Sequence, residues 1–186
     1  MRALTRSIGG ALLASLFAAA AGAAPTEGLH PGAVFAQGGV GENGVQAAGI
    51  GLLWPWDWRA QAAGGEFSAQ TELFVSQWRA RGAAGAHEGY TQAGLVPLLR
   101  YRPDEGRSPW FVEGGIGLSV TDSLFTTPAR TMGSRWNFSD NLAVGRNFGA
   151  RGQHELSLRW QHTSNAGLKQ PNPGLDLLML RYSARF

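Results

Sequence analysis

His162 and Ser164 stand two residues apart near the C-terminus, and Asp176 follows further along HTSNAGLKQPNPGLDLLMLRYSARF. An imidazole, an alcohol and a carboxylate are the groups that nucleophilic acyl transfer needs: a base, the attacking oxygen and an acid that orients the base. Whether the chain can bring them together is a question of strand parity. From Leu178 the residues alternate, with Leu178, Leu180, Tyr182, Ala184 and Phe186 on one face and Met179, Arg181, Ser183 and Arg185 on the other. That is a period-two strand with one apolar side, and counting back by twos puts Asp176 on the apolar row. In the preceding strand Leu156, Leu158 and Trp160 form the apolar row and Glu155, Ser157, Arg159 and Gln161 the polar one; His162 and Ser164 continue the apolar register. Three polar groups therefore converge on the apolar face of one hairpin, where they cost free energy. Residues i and i+2 of a strand have α-carbons about 6.5 to 7 Å apart on one face, so His162 can reach Ser164. Asp176, on the neighbouring strand, can hold the imidazole. The residue types alone leave a plainer reading open, a tolerated interfacial histidine beside an ordinary Ser-Asn-Ala-Gly turn.

The rest of the chain must supply the frame. Residues 1–23 have the features of a secretory signal: Arg2 and Arg6, an apolar run from Ile8 to Ala20, and Ala21-Gly22-Ala23 as a small-x-small cleavage site. Residues 24–186 are expected to form a single domain, an all-β, eight-stranded antiparallel transmembrane β-barrel. The strands are expected at about 32–40, 45–54, 66–79, 90–102, 109–121, 135–148, 152–163 and 174–186. The third alternates Phe67, Ala69, Thr71, Leu73 and Val75 against Ser68, Gln70, Glu72 and Ser76; the fifth alternates Trp110, Val112, Ile116, Leu118 and Val120 against Glu113, Gly115, Gly117 and Ser119. The first two strands are rich in Gly and Ala and their registers are not legible. A barrel of this size is filled by side chains and makes no pore, so Glu72, Arg100, Glu113, Arg159 and Arg181 are expected to form an internal plug of ion pairs. Trp54, Trp56, Trp58, Trp110 and Trp136 fit interfacial girdles. With both termini on the periplasmic side, the connection between strands seven and eight faces outward, and His162 sits near the outer rim at the depth of the outer leaflet.

Composition excludes several classes. The chain has no cysteine, hence no disulfide, no thiolate nucleophile and no zinc–thiolate site. Removing the signal takes away two Arg and no acid, lowering the formal charge from +3 to +1, so the basic balance carries little argument for nucleic acid. His30, His87 and His154 fall near strand ends or in loops, and no His/Asp/Glu spacing suggests a metal or any other cofactor.

The motif His162-Thr163-Ser164-Asn165-Ala166-Gly167, followed by Pro171-Asn172, Gly174 and the acidic Asp176, resembles the PagL-type outer-membrane lipid A 3-O-deacylases in order and spacing. The family pattern carries Glu at the acid position, where this chain has Asp176, one methylene shorter. The resemblance implies a serine esterase that hydrolyses the 3-position acyl ester of lipid A, with lipopolysaccharide and the outer-membrane lipids as its partners. His162, Ser164 and Asp176 would be the catalytic residues, with the Asn165 side-chain amide and the Gly167 N–H as candidates for the oxyanion hole. Lys169, Arg79 and Arg81 are candidates to pair with lipid A phosphates. Two other classes stay open on the residues: a non-enzymatic outer-membrane barrel (adhesin or structural element), and an acyltransferase or phospholipase using the same nucleophile. No residue decides whether two copies pair as a homodimer in the membrane.

Overall fold

The structure, a computed structural model, describes residues 30–82 and 85–186; the expected signal, residues 1–23, lies outside them. Eight strands follow in sequence: β1 (Ala33–Gly41), β2 (Gln46–Ala62), β3 (Gly65–Arg81), β4 (His87–Pro103), β5 (Trp110–Thr121), β6 (Trp136–Phe148), β7 (His154–Ser164) and β8 (Leu175–Arg185). Each pairs antiparallel with the next, and β8 closes back onto β1. Closure leaves no unpaired edge, the condition for strands to cross hydrocarbon.

Alternation decides which residues meet the bilayer. Val34, Ile50, Val75, Leu95, Leu118, Leu142, Leu158 and Leu180, one from each strand, are all exposed on the outside of the barrel. An apolar belt around the whole circumference belongs in lipid and would drive aggregation in water. Trp110 and Trp136 are exposed at the starts of the antiparallel neighbours β5 and β6, hence at opposite ends of the barrel, as interfacial anchors should be.

The interior is ionic in one part and apolar in another. All five expected plug residues are buried: Glu72, Arg100, Glu113, Arg159 and Arg181. Arg181 Nη1 lies 2.6 Å from Glu72 Oε2, Arg159 Nη2 2.9 Å from Glu113 Oε1, and Arg100 Nη2 2.8 Å from Glu113 Oε2. Glu155 extends the network at 2.7 Å from Arg100 Nη1 and 2.6 Å from Arg185 Nη2. Removing one partner strands the others, so Glu72→Ala is expected to cost about 3 to 5 kcal/mol. Urea titration of the folded barrel in lipid vesicles, followed by tryptophan fluorescence, measures it. Nearer the end that carries the β5–β6 and β7–β8 connections, the lumen turns apolar, with Trp78, Tyr90, Phe125, Met132, Leu175 and Leu177 in one buried cluster. Phe125 and Met132 come from the β5–β6 connection, so this connection is folded into the barrel mouth.

β2 departs from expectation by running to Ala62 instead of stopping near residue 54. Pro55 lacks an N–H and reads as a strand end. The chain absorbs it with a register shift between Pro55 and Arg59, and Trp56 Nε1 then donates to Thr71 Oγ1 at 2.9 Å on β3.

Candidate active site

The β7–β8 hairpin sets His162 directly opposite Asp176. Opposed residues in antiparallel strands have α-carbons about 4.5 to 5.5 Å apart, within reach of even the shorter acid. Asp176 Oδ1 lies 2.7 Å from His162 Nδ1. Both side chains are on the outward row and partly exposed, 29% for His162 and 42% for Asp176. An ionised carboxylate only accepts, so Nδ1 carries the hydrogen and Nε2 is left as the basic nitrogen.

Ser164 occupies the next outward position along β7, opposite Phe138 of β6, and is 9% exposed. Among the described residues no hydrogen bond joins it to His162; nucleophile–base bonds commonly tighten only in the complex with substrate. The connection after Ser164 is built around Asn165. Its Oδ1 accepts from the Gly167 N–H at 3.0 Å and from the Lys169 N–H at 3.4 Å, while its Nδ2 donates to Lys169 O at 2.7 Å. Its backbone N–H donates to Asn172 Oδ1 at 3.0 Å. This self-capped turn carries Ala166 and Gly167 in the left-handed region, at φ 53° and 80°. Both oxyanion candidates thus hold the turn in this state: the Gly167 N–H is engaged, as is one hydrogen of the Asn165 amide.

Three neighbours of His162 were not assigned from sequence. Gly174 has φ +69°, and a Cβ added there would lie 2.7 Å from His162 Cε1, so the imidazole rests directly on the bare α-carbon. Trp160 stacks beside the imidazole, with ring centroids 5.8 Å apart and planes inclined 19°. Asp140 of β6 is opposite His162 on its other side, giving the imidazole a carboxylate on both flanking strands. The signal for Asp140 was the one that singled out Asp176, a carboxylate on the outward row of its strand. Of the expected phosphate partners, Arg79 and Arg81 are exposed at the end of β3 and Lys169 in the β7–β8 connection. Among the described residues, no group of three or more His, Asp or Glu could hold a metal ion.

The chain matches the family model "Lipid A 3-O-deacylase (PagL)" over residues 46–185. It is 32% identical over 179 residues to the lipid A deacylase PagL of Bordetella bronchiseptica, covering 95% of this chain and 94% of the relative. Identity to the lipid A deacylase PagL of Pseudomonas aeruginosa is also 32%, over 150 residues, 79% of this chain and 82% of that protein. A crystal structure of the outer membrane enzyme PagL superposes with a TM-score of 0.71 at 29% identity, covering 83% of this chain and 99% of the other. With a family model spanning most of the barrel and a relative 32% identical over an alignment covering 95% of it, the chain belongs to the lipid A 3-O-deacylase (PagL) family.

Proposed function

We infer that the chain is a lipid A 3-O-deacylase of the bacterial outer membrane, an esterase that removes the acyl chain at the 3 position of lipid A as a 3-hydroxy fatty acid. One observation carries this beyond family membership: a histidine hydrogen-bonded to an acid, with a serine two residues away, on the face of the barrel that meets lipid. An ester already concentrated in the leaflet reaches such a surface laterally, and no enclosed pocket is needed.

Asp176 fixes the His162 tautomer and stabilises the imidazolium. His162 Nε2 takes the Ser164 proton as Oγ attacks the 3-O-acyl carbonyl, then returns it to the sugar 3-oxygen as the ester C–O bond breaks. Water, activated by the same imidazole, hydrolyses the acyl–serine. The second hydrogen of the Asn165 amide is available to the oxyanion, and the Gly167 N–H joins it once the turn releases it from Asn165 Oδ1. One such donor contributes about 2.7 to 4 kcal/mol to the barrier reduction. Lys169, Arg79 and Arg81 pair with lipid A phosphates at the rim. Residues 1–23 direct export and are cleaved, and the connections after β1, β3, β5 and β7 face the cell exterior.

Purified protein in detergent, given defined lipopolysaccharide, is expected to lower the mass of lipid A by a single 3-hydroxyacyl group. Unchanged lipid A would favour a non-enzymatic barrel, and a gain of acyl mass an acyltransferase; either defeats the deacylase. Gly174→Ala adds a methyl group against the imidazole at a left-handed position. It should lower kcat roughly 10- to 100-fold by displacing His162, read in the same assay on protein that migrates as a folded barrel in unheated gels.

A further inference from the structure

Arg130 sits in the β5–β6 connection, outside the hairpin that carries the site, yet it reaches the peptide on which His162 rests. Its Nη1 donates to Gly174 O at 3.0 Å and forms an ion pair with Glu42 from the β1–β2 connection. We propose that Arg130 is a positioning residue for the His162–Asp176 pair, acting through the Gly174 peptide, with Glu42 holding the guanidinium in place. The proposal rests on the deacylase reading of the same hairpin.

Arg130 projects from a fixed base. Its N–H donates to Thr127 Oγ1 at 3.1 Å, its carbonyl accepts from the Thr127 N–H at 2.7 Å, and Thr126 and Thr131 pair around it. Just outside that bridge, Phe125 and Met132 are buried in the barrel mouth; Phe125 packs 5.6 Å from Trp78 and 5.0 Å from Tyr90 between ring centroids. A planar guanidinium on such a base aims its donors in set directions, and a charge-assisted bond to a carbonyl is stronger than a neutral one.

Gly174 is a point where the backbone can turn freely, because it lacks a side chain and sits in the left-handed region. It is also the floor of the imidazole, and Asp176 follows two residues later. A second bond between the same connections, Gly133 N to Pro171 O at 2.7 Å, fixes the loop three residues before Gly174 but leaves the Gly174 carbonyl to Arg130. The guanidinium therefore fastens three connections, β1–β2, β5–β6 and β7–β8, at the point where rotation of one peptide would tilt the base. Its Nη1 serves both the carbonyl and the carboxylate, and the side chain is only 24% exposed, which sets it apart from the exposed Arg79, Arg81 and Lys169.

The test uses the mature enzyme in detergent with two substrates: defined lipopolysaccharide, and a p-nitrophenyl ester of a medium-chain acid, which carries no phosphate. Arg130→Met should lower kcat roughly 10- to 100-fold on both with KM little changed. Arg130→Lys should recover part of the loss, and Glu42→Gln should show a smaller loss of the same kind. Wild-type kcat in Arg130→Met would overturn the proposal, as would a rise in KM confined to lipopolysaccharide, the mark of a phosphate contact. If Arg130→Met does not fold, Arg130→Lys and Glu42→Gln decide, and wild-type kcat in both overturns it. A wild type that cleaves neither ester removes the deacylase function and this proposal together; an active wild type with an indifferent Arg130→Met removes this proposal alone.

Discussion

Ser164→Ala and His162→Ala are each expected to reduce release of 3-hydroxy acid from lipid A roughly 10⁴- to 10⁶-fold, and the double substitution to cost little more than either alone. The non-additivity is the informative part. A nucleophile without its base, or a base without its nucleophile, performs no acyl transfer, so the second loss has nothing left to remove. Quantifying the free acid by mass spectrometry at matched amounts of folded barrel gives the three rates. Independent, multiplying effects would mean that the two residues do not act as one unit.

Asp176→Asn carries the next largest effect, about 10⁴-fold in kcat with KM little altered. The amide keeps the shape of the acid but can turn a donor toward His162 Nδ1, 2.7 Å from the present carboxylate oxygen. The imidazole then carries its hydrogen on Nε2, the nitrogen that must receive the Ser164 proton. Asp176→Ala leaves that position to solvent, which can accept from Nδ1, and should lose less. If Asn and Ala variants retain equal activity near wild type, Asp176 does not set the tautomer. The shorter acid reaches the imidazole because Asp176 is directly opposite His162 in register, so no extra methylene is needed to close the gap.

Strand parity made the placement of most candidate site residues legible. Period-two alternation in β7 and β8 put His162, Ser164 and Asp176 on one row, and the same counting placed Glu72, Glu113, Arg159 and Arg181 inside the barrel. What stayed hidden depends on contacts that cross sequence without a period. Pro55 masked the second half of β2 because a bulge can carry a residue that an ordinary ladder cannot. Asn165 offered a donor by residue type, but its first commitment is to its own turn, through two accepted bonds and one donated. Gly174 carries no local signal for its role, since the imidazole that rests on it comes from the other strand of the hairpin. Arg130 carries no local signal, since its partners Glu42 and Gly174 lie far from it in sequence on either side.

A long-chain alkyl fluorophosphonate presented in lipid vesicles, which loses fluoride as the serine oxygen attacks phosphorus, reports directly on whether the nucleophile faces the bilayer. Peptide mass spectrometry should find a single adduct on Ser164, formed in step with the loss of deacylation and absent from His162→Ala. A stoichiometric adduct on another residue, or full inactivation with Ser164 unmodified, would contradict a lipid-facing serine esterase.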